Sequence, residues 1–198
     1  MKNVFMDTNC TLAEFYDNKY SFVGEYCFGR RIVGICTDKM RYAIALKGDV
    51  VSPWFDKITI MPSFNVCQKD GKSFLTSANG KEVISDEYKE IGRFEKIGII
   101  NKYYAKAKNF DGKYGTVCSD GKVGIEFINK ELARFGTAYA VCGRKFENGV
   151  RYALFAVNGE RVCDYEYVKY RKDSQRIYFE TPEGKAVIYN VWGRLIRK

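Results

Sequence analysis

The sequence predicts an all-β protein: an array of about five antiparallel β-hairpin repeats behind an N-terminal cap. Three observations carry that prediction. Turn glycines recur at 48, 80, 121, 159 and 193, separated by 32, 41, 38 and 34 residues, inside the roughly 20 to 50 residue period of repeat architectures. A second glycine series at 71, 112, 149 and 184 runs in step with the first. Between them, short apolar runs alternate with Asn-Gly, Asp-Gly and Lys-Gly pairs, a strong local hairpin signal because glycine reaches positive φ without a Cβ clash.

Taken in order, residues 1–40 read as a cap or degenerate repeat, since the terminal unit of an array must cover its open end. Thr11-Leu12-Ala13-Glu14 has the form of a capping box and predicts a short helix through Phe15 and Tyr16. Strands follow over 20–28 and 31–36, flanking Gly29. The repeats then occupy about 41–71, 72–112, 113–149, 150–184 and 185–198. The third is the most regular. Its Lys113-Tyr114-Gly115-Thr116-Val117-Cys118-Ser119-Asp120-Gly121-Lys122 reads as a strand over 114–118, a turn at Asp120-Gly121 and a second strand from Lys122, continued over 125–128. The other units repeat that order with strands at 42–46, 64–68, 73–76, 103–107, 138–142, 151–155, 162–168, 177–179 and 185–189. Short helical turns are expected only at 85–91 and at 129–135, where Asn129 has the chemistry of an N-cap.

The whole chain has 198 residues with 46% hydrophobic, 16% aromatic and 29% charged content, the makeup of a folded protein rather than a disordered one. It has no run of the roughly 18 apolar residues that a membrane helix needs. Asp7 interrupts the N-terminus before a signal-type apolar segment forms, so a cytoplasmic location is expected. Seven cysteines, at 10, 27, 36, 67, 118, 142 and 163, stand singly. With no Cys-x-x-Cys pair they suggest neither zinc nor thioredoxin-type chemistry, and they read as small buried hydrophobes of a reducing compartment. The chain contains no histidine, which removes the commonest general base, the histidine-dependent triads and the commonest zinc ligand together. Gly-rich phosphate loops and serine-centred elbows are missing as well. No cofactor and no metal are implied, and a non-enzymatic role is expected. A carboxylate-based hydrolase is the third reading.

Thirty-three Lys and Arg against twenty-four Asp and Glu give a formal charge of +9, which favours an acidic partner: an acidic protein surface, a protein–nucleic-acid complex, or nucleic acid itself. Arg41, Lys72, Lys113, Arg151 and Lys185 take the same position in successive units, just before the first strand. Stacked, they would form a cation ladder able to follow phosphates. A strand-start cation equally serves solubility and blocks edge pairing. Tyr114 and Tyr152 stand beside two of these cations, as does Tyr42. Aromatics in such places stack on bases or fill the thin core of a hairpin array. The segment 169–176 reads as the densest basic loop; the tyrosines from Tyr165 to Tyr170, with Arg171 and Lys172, are candidates for anchoring a protein partner.

The pattern resembles the WG-repeat family. The resemblance is carried by Lys113-Tyr114-Gly115-Thr116-Val117 with Asp120-Gly121-Lys122, by Asn79-Gly80-Lys81-Glu82-Val83-Ile84, and by Phe55-Asp56-Lys57-Ile58. It covers 41–198. The tryptophan that the family places early in each unit is here Tyr42, Ser73, Tyr114, Tyr152 or Ala186, and the glycine after it survives only at Gly115. The resemblance implies hairpin arrays used as binding surfaces, without shared catalytic residues. Together these features predict a macromolecular binding protein that presents a basic, tyrosine-rich face, either as a protein-interaction module or as an inhibitor. A phage or mobile-element protein that blocks a nucleic-acid enzyme would have this makeup. Direct nucleic-acid binding through the ladder is the alternative. Whether the array is an open stack or a small closed propeller, and its oligomeric state, are left open by the sequence.

Overall fold

The computed structural model describes residues 21–28, 31–46, 49–97 and 102–198. The expected helix over Thr11 to Tyr16, Cys10, and the turns at Gly29 and Gly48 lie outside the described residues. Within them the chain forms nineteen strands and no helix, arranged in five small antiparallel sheets. The chain divides into two compact units, with the boundary after Glu87.

The first unit holds two sheets. One has the order β1 (Ser21–Phe28), β2 (Arg31–Thr37), β3 (Tyr42–Leu46) and β4 (Asp49–Val50). The other has β5 (Lys57–Ile60), β6 (Phe64–Lys69) and β7 (Lys72–Ser77). One core cluster is aliphatic, with Val33, Ile35, Ile44 and Ile60 buried against one another and Leu46, Val51 and Ile58 alongside, and a second joins Phe55, Cys67 and Phe74.

Three sheets make the second unit. In the first of them β10 (Tyr103–Lys108) pairs with β11 (Tyr114–Cys118) on one side, and with β8 (Glu90–Ile91) and β9 (Glu95–Lys96) on the other. The next has the order β12 (Glu131–Phe135), β13 (Tyr139–Phe146), β14 (Gly149–Ala156), β15 (Arg161–Tyr167). The last has β16 (Lys169–Lys172), β17 (Arg176–Glu180), β18 (Ala186–Asn190) and β19 (Leu195–Arg197). These last two sheets share the most aromatic core, in which Tyr167 stacks on Phe179 at 4.4 Å and Tyr189 meets the same ring edge-on at 5.9 Å, beside Val141, Leu154, Ile177 and Val187.

Both glycine series do what their residue type allows. All eight described members, at 71, 80, 112, 121, 149, 159, 184 and 193, have positive φ. The second series, however, turns inside the sheets rather than between them: Gly71, Gly112, Gly149 and Gly184 close the hairpins β6–β7, β10–β11, β13–β14 and β17–β18. Each of these sheets therefore joins the last strand of one sequence unit to the first strand of the next. The residues of the expected cap contribute β1 and β2 in the same way, pairing with β3 of the first repeat.

A second regularity is invisible as a strand pattern. The Ile44 N–H donates to Ser52 Oγ (2.8 Å), the Leu75 N–H to Ser85 Oγ (2.9 Å), and the Leu154 N–H to Cys163 Sγ (3.2 Å). In three sheets, then, a side chain eight to ten residues onward accepts the bond that a regular fourth strand would supply. A buried N–H must find some acceptor, and these side chains supply it where pairing is irregular. Beside β7 the fourth strand is an isolated bridge, Thr76 to Val83, whereas beside β3 it persists as β4 and beside β14 as β15, with register shifts.

Four expectations are corrected. The second strand from Lys122 is reduced to a single bridge, Val117 to Val123, because Thr116 Oγ1 takes the Ile125 N–H at 2.7 Å and diverts the chain. Residues 125–128 accordingly form no strand. The helical turn over 129–135 is strand β12, paired with β13 from Glu131 opposite Gly143 to Phe135 opposite Tyr139. Pairing and burial of Leu132 and Phe135 outweigh the local helix preference of Lys-Glu-Leu-Ala, a common tertiary override. Residues 85–91 likewise hold β8 rather than a helical turn. Finally, the basic loop over 169–176 is a hairpin: β16 pairs with β17 from Lys169 opposite Glu180 to Lys172 opposite Ile177. Asp173 closes it by accepting the N–H groups of Gln175 and Arg176, both at 2.8 Å.

Candidate binding site

Arg41, Lys113 and Lys185 immediately precede β3, β11 and β18, Lys72 opens β7, and Arg151 lies inside β14 opposite Arg144; their surroundings differ. In the first unit, Arg41 forms an ion pair with Asp38 (3.0 Å) and lies over the Trp54 ring at 5.9 Å. Lys72 pairs with Glu87 at 2.6 Å. Exposed pairs of this kind stabilise by only about 0 to 1 kcal/mol, yet each puts a carboxylate where a phosphate would have to come. Tyr42 is at the edge of exposure.

In the second unit the cations converge. Lys113 and Arg151 line one open recess of about 880 Å³ together with Lys145, Glu147, Asn148, Phe146 and Tyr165. Asn109 fixes the approach to Lys113, its Oδ1 accepting the Lys113 N–H at 2.8 Å. Lys145, Phe146 and Arg151 sit on the two sides of the β13–β14 hairpin, where Lys145 faces Val150 and Arg144 faces Arg151 in register. Arg151 is half-buried, and its Nη1 is buried without a hydrogen-bond partner among the described residues. Leaving such a donor unpaired costs about 1 to 3 kcal/mol. The next rung adjoins it. Glu183 accepts from the Thr181 side chain, which with the nearby Lys185 and Arg151 charges holds its carboxyl below the usual range.

A second recess, of about 610 Å³, shares Phe146 and Tyr165 with the first. Its walls are Ile125, Ile128, Phe155, Arg144, Arg161 and Asp164, among others. Phe146, 40% exposed, and Phe155 flank Tyr165 at ring distances of 6.0 and 5.8 Å. Arg144 lies over the Phe146 ring at 5.4 Å. Tyr165 is anchored rather than free: its hydroxyl donates to Oδ1 of buried Asn129, whose Nδ2 holds the Tyr114 and Glu126 carbonyls. Burial keeps the phenol above its ordinary pKa, so it stays neutral and a hydrogen-bond donor. Glu126 is an exposed carboxylate of this recess, and Asp164 pairs with Arg161 at 3.1 Å.

The remaining sequence candidates are set into the fold. Tyr114 is a platform within the protein, with Lys106 and Lys108 over its ring at 4.0 and 5.2 Å. Tyr152 and Tyr170 contact each other at 4.9 Å and pack on the aromatic core. Burial, with the Glu131 carboxylate adding to it, pushes the Tyr152 phenol up to about 12. Arg171 lies over Tyr178 at 4.2 Å, and Lys172 Nζ donates to the Arg134 carbonyl. Lys185 is exposed. Sequence reasoning therefore named Lys113, Arg151 and the stretch that begins at Tyr165, but missed Arg144, Lys145 and Phe146. The run Arg144-Lys145-Phe146-Glu147, a basic pair before an aromatic at a predicted hairpin turn, was the signal that could have found all three.

No family model matches the chain, and no curated protein does. Among solved structures, one described as "Crystal structure of the eukaryotic initiation factor" superposes with a TM-score of 0.42 at 11% identity, over 90% of this chain and 54% of that one. The chain thus spans about half the length of that structure.

Proposed function

We propose that this protein is a non-enzymatic macromolecular binding module, related to WG-repeat arrays, that engages an acidic protein surface through the basic and aromatic recess of its second unit. The observation that carries this reading is the convergence of Lys113, Lys145 and Arg151 beside Phe146 and Tyr165. Arginine and aromatic side chains together are the composition of interface hot spots, and the excess positive charge of the whole chain favours an acidic partner. The carboxylate partners of Arg41 and Lys72 weigh against a continuous phosphate-tracking ladder, which would need every rung available. A cytoplasmic setting and a role as an inhibitor of a nucleic-acid enzyme belong to the same proposal, and the free thiols of the six described cysteines suit a reducing compartment.

Affinity capture from the source cells, with the Arg151→Gln and Lys113→Glu variants run in parallel, tests the proposal. A stoichiometric protein partner that is lost with either variant is the expected result. Binding spread evenly over Arg41, Lys72 and Lys185 with a steep salt dependence would transfer the function to nucleic acid.

A further inference from the structure

We propose that the two recesses meeting at Phe146 and Tyr165 form one composite site for an extended peptide segment in which an acidic residue is followed by an aromatic or large aliphatic one. It rests on the binding function proposed above and specifies the ligand. The two halves differ in chemistry. Among the described residues that line their recess, Lys113, Lys145 and Arg151 meet one acidic side chain, Glu147, so that half carries a net positive charge. Arg151, half-buried in the wall of this recess, brings a guanidinium that matches a carboxylate in geometry. The other half sets two cations, Arg144 and Arg161, against two carboxylates, Glu126 and Asp164, while Ile125, Ile128, Phe146, Phe155 and Tyr165 supply apolar wall. It is balanced in charge and shaped for a side chain rather than an ion.

Phe146 and Tyr165 belong to both halves, so a ligand that fills both must place its charge and its apolar group on either side of that pair. Adjacent residues of an extended chain are about 3.5 Å apart per step, which suits neighbouring rather than distant side chains. The Asn129 anchor on the Tyr165 hydroxyl keeps the shared wall in place before binding, so little ordering remains for the ligand to drive. Nucleic acid fits less well: its phosphates would meet Glu126 and Asp164 in the second half.

Fluorescence polarisation with the full chain tests this, using fluorescein-labelled Gly-Glu-Asp-Phe-Leu amide as probe. Two controls accompany it, Gly-Gln-Asn-Phe-Leu amide and Gly-Glu-Asp-Ser-Ser amide, with a labelled ten-residue oligothymidine as the other polymer. The expected result is binding of the first probe at least about tenfold tighter than either control. Lys145→Glu, a change at an exposed residue, and Arg151→Gln should each weaken it by about tenfold or more. Tyr165→Ser should weaken the Phe-Leu probe while leaving the Ser-Ser control unchanged, and circular dichroism of each variant checks folding. Equal binding of the acidic and amide probes, or of the aromatic and serine probes, overturns the proposal. Tighter binding of the oligothymidine with the same variant sensitivity overturns it in favour of nucleic acid. If the probes fail while a captured protein partner still depends on Arg151, the peptide site is wrong and the binding function stands. If the captured partner ignores Arg151 and Lys113, both fall.

Discussion

Individual side chains in this protein divide between those that close the backbone's hydrogen bonding and those that line its recesses. Asn65 is of the first kind: it is fully buried, and its Nδ2 reaches the carbonyls of Ser77 (2.7 Å) and Ala78 (3.2 Å) beside the Thr76 hydroxyl (3.2 Å). Asn65→Ala should cost about 1 to 3 kcal/mol, read as a lower urea midpoint, because it strands buried acceptors. Tyr152 gives a pH signature. Its phenol titrates at about 12 in the folded chain against an ordinary value of 10. The folded state thus holds that proton more tightly, and the associated stability is complete below pH 10 and lost as pH rises toward 12. Tyrosinate absorbance should rise together with unfolding in that window, and Tyr152→Phe should flatten the dependence. Arg151 is of the second kind, and its residue type gives no hint of that, because packing decides it.

At the level of elements, hairpins are set by turn chemistry and then trimmed by neighbours. Gly159 shows both effects: its φ is +96°, and an added Cβ would come within 2.3 Å of the Gly124 carbonyl oxygen. Gly159→Ala should therefore destabilise by more than the roughly 1 kcal/mol typical of glycine turn positions, measured by thermal denaturation. Gly115, which follows Tyr114 in the most regular unit, is explained by closeness alone, since a Cβ there would lie 2.5 Å from the Ile125 carbonyl oxygen. Thr116 welds two sheets by donating to the Val157 carbonyl (2.8 Å) while accepting from Ile125 (2.7 Å). Thr116→Val keeps the shape and removes both bonds. Faster amide exchange at Ile125 with a modest loss of stability is the expected outcome. In the β16–β17 hairpin, the Gln175 and Arg176 N–H groups, with the Tyr178 hydroxyl, hold the Asp173 carboxyl below the ordinary carboxylate range. Its contribution is present above about pH 4 and fades as pH falls through the depressed value, so Asp173→Ala should reduce the acid sensitivity of that turn.

For the molecule as a whole, the paired glycines and alternating apolar runs made antiparallel hairpins legible from sequence, since turn geometry and period-two burial are local properties. The frame of the sheets was not. Nothing in the residues between Asp70 and Lys72 says whether their hairpin opens a unit or sits within a sheet, and only the pairing of β6 with β7 decides it. The same holds for Lys130-Glu131-Leu132-Ala133, whose helical preference yields to hairpin pairing with β13 and to the burial of Leu132 and Phe135. Lys113 and Arg151 were readable as repeated cations. Their meeting with Lys145, Phe146 and Tyr165 was not, because it depends on which sheets pack together. The sequence by itself determined the fold class and the spacing of its turns, because glycine geometry and alternation act over a few residues. Only the tertiary structure decided which cations keep a carboxylate and which line a recess, because side-chain placement, as of Glu87 on Lys72 and of Lys113 beside Arg151, follows from packing and not from residue type.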